Sequence, residues 1–111
     1  MTISFEQFQS IDIRVGRISA AHPNLKAHQP AYVLTIDFGT DLGTRTSSAQ
    51  LAARYTPESL IGRAIVAVLN FEPKRVADVK SEVLVLGVPD AEGAVVLLSP
   101  DHDVPLGGRM F

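Results

Sequence analysis

The chain has 111 residues, 46% of them hydrophobic and 20% charged, a balance that argues against disorder and predicts one compact domain, residues 1–111, around one core. Cysteine is absent, which excludes disulfides, thiolate metal sites and a cysteine nucleophile, and suits a reducing compartment, the cytoplasm. The net charge of −2 does not announce a nucleic-acid binder, but it is unevenly spread, at +3 over residues 43–81 and −4 over residues 82–111.

The N-terminal MTISFEQFQS has neither a basic nor a long apolar segment. No stretch approaches the roughly eighteen apolar residues of a bilayer span, so export and membrane insertion are not expected. IDIRVGRI alternates Ile11, Ile13 and Val15 with Asp12 and Arg14, then slips phase at Gly16. That slip predicts a long, curved first strand with a bulge at the glycine. The segment HPNLKAHQPAY follows as a surface loop, on the turn chemistry of Pro23, Asn24 and Pro30.

YVLTIDF, residues 32–38, sets Tyr32, Leu34, Ile36 and Phe38 on one face, the pattern of a half-buried strand. FGTDLG turns the chain and TRTSS, residues 44–48, returns it. Ser47 with Gln50 reads as a capping box opening a short helix, and Thr56, Pro57 and Glu58 as the start of a second helical turn that Gly62 ends. AIVAVLNF, EVLVLGV and AVVLL are near-continuous apolar runs, as strands covered on both faces require. One face lines an interior; the other must meet a helix, a terminal segment or another subunit. The order strand, strand, strand, helix, strand, strand, with an extra strand at the end, predicts an all-β, five-stranded OB-fold barrel with a short helix between strands 3 and 4 and terminal extensions.

No constellation suited to catalysis emerges. Asp101, His102 and Asp103 would point to alternate sides of an extended chain and suit a solvated turn better than a metal site. His22 and His28 fall in the first loop, and Ser47 and Ser48 lack a neighbouring base. No enzyme activity, cofactor or metal is expected. LNFEPKRVADVKSEVLVLG, residues 69–87, sets Lys74, Arg75 and Lys80 among Glu72, Asp78 and Glu82 between apolar runs. From the residues alone this is either a solvated loop or one border of an OB groove, where the loop joining strands 4 and 5 meets ligand.

SIDIRVGRI, PAYVLTIDFG, SSAQL, YTPESLIGR, VLNFEPKR, SEVLVLG and VVLLSPD, in this order from about Phe5 to Phe111, resemble the CsaA family. Those proteins are small homodimeric relatives of the tRNA-binding domain at the C-terminus of many bacterial methionyl-tRNA synthetases. The resemblance implies a barrel, dimerised through terminal extensions and sheet surface, that binds tRNA without catalysis. It also implies an alternative, an export-related chaperone that binds unfolded or pre-export polypeptides through an apolar surface, which SEVLVLG with Phe5, Phe8 and Phe111 could furnish.

In the wider family the region after strand 4 carries an Asn, a Pro, basic residues, a Ser and a Gln. These fall on Asn70, Pro73, Lys74 with Arg75, and Ser81, while Glu82 replaces the Gln and would repel phosphate. The resemblance thus implies RNA binding by Lys74 and Arg75 through phosphates and by Asn70 and Ser81 through neutral hydrogen bonds. Arg45, on the third strand, is read as facing the same groove, and Phe71 as either core or a stacking platform for an unpaired base. Lys26 with His28 and Gln29 leaves the first loop weakly basic, so binding per subunit is expected to be weak.

Overall fold

Ser4 opens the regular structure of residues 1–111, described by a computed structural model, with a capping box. Its Oγ accepts from the Gln7 amide at 3.1 Å, and its own amide donates to Gln7 Oε1 at 2.8 Å. The helix so started, α1 (Phe5–Gln9), is short and lies on the surface. Strand β1 (Ile13–Pro23) is long, as expected, and serves two neighbours. Its first half, Ile13–Arg17, pairs antiparallel with β4 (Ala64–Val68), and its second half, Arg17–Pro23, with β2 (Tyr32–Asp37).

The bulge is not at Gly16. The register shifts between Ile18 and Ala20, whereas Gly16 pairs regularly with Ile65. The apolar phase changes because both faces of β1 are covered. Ile13 and Val15 face outward, while Gly16 and Ile18 face the barrel interior. Gly16 is required there by close approach, since a Cβ would stand 2.6 Å from Ile36 Cγ2 and 2.7 Å from Phe38 Cε1.

Strand β2 alternates as its sequence dictates, with Tyr32, Leu34, Ile36 and then Phe38 all buried. It pairs with β3 (Thr44–Ala49) from Tyr32↔Ala49 to Asp37↔Thr44. That pairing overturns the helix cap expected at Ser47, which lies within the strand, 1% exposed, with Oγ donating to the Val83 carbonyl at 2.9 Å. The single helix between strands, α2 (Pro57–Leu60), starts where Thr56 and Pro57 place it. Thr56 Oγ1 accepts from the Ser59 amide at 3.2 Å, and Leu60 plugs the core.

After β4 come the hairpin β5 (Lys74–Val76) and β6 (Val79–Ser81), then β7 (Leu84–Val85) and the hairpin β8 (Gly87–Pro89) and β9 (Val95–Leu97). The main sheet runs β3-β2-β1-β4-β7, every pairing antiparallel, and curls until β3 meets the residues leading into β7. This is the predicted OB-fold barrel. Its interior holds Ile18, Leu34, Ile36, Phe38, Leu60 and Ile65.

Polar bonds tie the elements around this core. Tyr32 donates its hydroxyl to the Tyr55 carbonyl at 2.7 Å, while Tyr55 Oη accepts from the Leu97 amide at 3.1 Å and Arg63 lies 5.1 Å over the Tyr55 ring. In the β8–β9 turn, Asp90 accepts from Arg54 Nε at 2.6 Å and from the Glu92 and Ala94 amides at 2.9 Å. Arg54 above all, helped by these amides, holds the Asp90 carboxyl below the usual carboxylate range. The C-terminal segment covers the free edge of the first half of β1. Gly107 and Met110 donate to Val15 and Ile13, and Val15 donates to Gly108.

The Gly16→Ala variant is expected to lose about 1–3 kcal/mol of stability, because the added methyl meets buried side chains with no room to withdraw. Urea denaturation checks this; an unchanged midpoint contradicts it.

Candidate nucleic-acid interface

The charged loop of the sequence is an ordered hairpin. Strands β5 and β6 join through Ala77 (φ 47°) and Asp78 (φ 69°), a two-residue turn with both central residues in the left-handed region. Its register sets Lys74 opposite Ser81, Arg75 opposite Lys80 and Val76 opposite Val79. Because side chains alternate along a strand, Lys74, Val76, Val79 and Ser81 share one face, and Arg75 and Lys80 the other. Lys74 and Arg75, expected in one groove, therefore point to opposite sides of the hairpin.

The Lys74 face looks onto β3. Lys74, Val76 and Ser48 line two adjoining depressions. One, about 500 Å³, is bordered by Lys26, His28 and Gln29 of the β1–β2 loop and by Gln50. The other, about 480 Å³, is bordered by Phe71, Ser81, Glu82 and Leu84. Lys74 is exposed between them, and Phe71 is 55% exposed at one end, a surface position rather than core.

The β1–β2 loop is held against the hairpin. Asn24 Nδ2 donates to the Val76 carbonyl at 3.4 Å, and Lys26 Nζ pairs with Asp78 Oδ2 at 2.8 Å. On the other face, Arg75 Nη1 donates to the Asp78 carbonyl at 3.1 Å.

Four of the sequence-predicted residues, Arg75 among them, have structural partners. Ser81 Oγ accepts from the Ser48 amide at 3.0 Å. Asn70, at the end of β4, accepts from the Asp12 amide at 2.9 Å and donates to the Ser10 carbonyl at 2.7 Å, tying the entry of β1 to β4. Arg45 shares the strand phase of the buried Ser47 rather than that of Ser48, and its Nε donates to the Leu42 carbonyl at 3.4 Å. Neither Asn70 nor Arg45 lines the depressions around Lys74. Glu82 accepts from the Thr46 amide at 3.1 Å, so its carboxylate has a structural partner whatever binds outside.

Ser48 and Gln50 are groove residues, a role that neither the SSAQL block nor the capping pattern of Ser47 and Gln50 predicts. The outward phase of Thr46, Ser48 and Gln50 is the signal that points to them. Asp101 and His102 lie in an exposed bend, 3.9 Å apart.

A second surface is apolar. Phe5 and Phe8 of α1 stack with ring centroids 6.4 Å apart and, with Ile11, Met110 and Phe111, line a recess of about 260 Å³. Beside it, Val15 and Val66 on the barrel exterior share a groove with Leu98, Pro100 and Val104. No helix is long and apolar enough to cross a membrane.

Residues 13–109 match the family model described as a putative tRNA-binding domain. The methionine–tRNA ligase of Pyrococcus furiosus is 40% identical over 110 residues, which is 97% of this chain and 14% of the ligase. That of Thermococcus kodakarensis is 38% identical over the same shares, so the chain spans about a seventh of the length of these relatives. Among solved structures, the chaperone CsaA of Bacillus anthracis str. Ames superposes with a TM-score of 0.92 at 52% identity over the whole of both chains. The CsaA chaperone protein of Picrophilus torridus gives 0.91 at 44% identity, over 99% of this chain and 100% of that one. A match over nearly the whole length, on the predicted barrel, is sufficient: the chain belongs to the family of putative tRNA-binding domains, with CsaA among its structural relatives.

Proposed function

We propose that residues 1–111 act as one non-catalytic domain that binds tRNA in the cytoplasm and works as a homodimer. The observation that carries this reading is Lys74, exposed and without an ion-pair partner between two adjoining depressions that Ser48 lines, one of them bordered by Phe71. A cation over polar strand surface, with an aromatic ring at the groove end, suits a phosphodiester backbone with an unpaired base beside it. Arg75 and Lys80, directly opposite each other on the outer face, offer a further cationic seat on the same hairpin. Family membership and the methionine–tRNA ligase relatives support tRNA as the nucleic acid.

The homodimer reading rests on the apolar surface. Phe5, Ile11, Met110 and Phe111 are each exposed, and they adjoin the groove around Val15 and Val66. A patch of this kind on so small a domain is costly to leave in water, and a second copy would cover it. Two grooves on one rigid body would compensate for weak binding by each, provided one RNA reaches both. The same apolar surface favours a second reading, a chaperone for unfolded or pre-export polypeptides, and the structural relatives bearing the name chaperone support it.

With about three phosphates neutralised per subunit, tRNA affinity is expected to fall about twentyfold between 50 and 200 mM salt. The Lys74→Ala/Arg75→Ala variant should bind more weakly and show a salt slope shallower by about 0.7 for each phosphate no longer neutralised. Filter binding checks both, and unchanged affinity in the variant contradicts the assignment. Suppression of aggregation that survives the same double substitution would favour the polypeptide reading. Sedimentation at micromolar concentration should give twice the mass of the chain; a monomer would contradict the dimer.

A further inference from the structure

Among the cations around the groove, Lys26 is the one that a carboxylate holds. We infer that Asp78 and Lys26 form a latch between the hairpin tip and the β1–β2 loop, and that an RNA phosphate binds at Lys26 by displacing the Asp78 carboxylate. The inference rests on the tRNA-binding reading and names a residue that limits affinity at that site.

Asp78 sits at φ 69° and follows Ala77 at φ 47°, where a two-residue hairpin favours Gly, Asn or Asp. Asn would meet that backbone demand without charge, so the turn alone does not call for a carboxylate. What the carboxylate does here is accept from Lys26 Nζ at 2.8 Å. The Asp78 carbonyl meanwhile receives Arg75 Nη1, so one turn residue touches cations from both sides of the hairpin.

Lys26 stands in the loop that Asn24 already pins to the hairpin through Nδ2 to the Val76 carbonyl, and within the loop Asn24 Oδ1 accepts the Lys26 amide at 3.2 Å. The ammonium therefore sits within reach of the tip, on the border of the depression that Lys74 also lines. Both partners are largely in solvent, with side chains 72% and 66% exposed, so the pair is weak and exchanges readily. A phosphate oxygen offers the same charge-assisted bond that the carboxylate gives. A chain that places one phosphate at Lys74 and another at Lys26 can open the latch, whereas a single anion gains little from doing so.

The Asp78→Asn variant tests this, because Asn keeps the left-handed turn while removing the charge. Fluorescence anisotropy with a mixed tRNA preparation should show Asp78→Asn binding about two- to fivefold tighter than wild type at low salt, the range that a released surface ion pair allows. Lys26→Ala should bind more weakly than wild type, and in its background Asp78→Asn should lose most of its gain. The same gain in both backgrounds would make Asp78 a remote charge and overturn the latch. So would no gain at all in a protein whose wild type binds and whose Lys74→Ala/Arg75→Ala variant does not. Failure of the wild type to bind tRNA would instead overturn the functional reading, and the latch with it.

Discussion

The barrel closes at a seam in which side chains supplement a sparse backbone ladder. Between β3 and the residues leading into β7, one backbone bond, Glu82 amide to Thr46 carbonyl at 2.8 Å, is joined by three bonds in which a side chain stands in for a missing ladder partner. Glu82 Oε1 takes the Thr46 amide, Ser81 Oγ takes the Ser48 amide, and Ser47 Oγ gives to the Val83 carbonyl. Without them, buried or half-buried backbone groups on the last edge of the sheet would go unsatisfied. The seam also fixes where the β5–β6 hairpin leaves the barrel, which sets Lys74 over Ser48. The acid at position 82, a liability if read as an RNA contact, serves here as the acceptor for the Thr46 amide.

The rest of the fold manages a strand that has two apolar faces. The interior phase of β1 packs on Ile36 and Phe38, so closely that position 16 has no space for a side chain. The exterior phase, Ile13 and Val15, lies beside the C-terminal segment, whose bonds to β1 replace a sixth strand. This arrangement separates the two candidate surfaces. The groove depends on β3 and the hairpin, and the apolar surface on the barrel exterior and the chain termini, so either can be altered without touching the other.

Much of the fold is legible in the sequence where local pattern and tertiary demand agree. The alternation of residues 32–38 marks a strand with its buried face, and Thr56 with Pro57 marks a helix start. The Ser-x-x-Gln pattern shows why agreement is needed. It occurs at Ser4 and again at Ser47, yet only the first caps a helix, because residues 44–49 are committed to pairing along the whole of β2. Gly16 reads as a bulge because a phase slip in sequence cannot distinguish an inserted residue from a strand buried on both sides. The candidate site is legible in its chemistry but not in its facing. A two-residue turn built from Ala77 and Asp78 carries no glycine signal, so the register that sends Lys74 and Arg75 to opposite sides is hidden. The structural ties of Asn70 and Ser81 reach residues 60 and 33 positions away, beyond any local pattern.

Barrel closure and groove alike depend on the seam, and amide hydrogen exchange reads it directly. In the Ser81→Ala/Glu82→Ala variant, the Thr46 and Ser48 amides are expected to lose protection while those of the β1–β2 ladder keep theirs, because each of the two loses the side-chain oxygen it donates to. Protection of both amides equal to wild type would show that the barrel closes by other means, and would remove the basis for placing the hairpin and its groove.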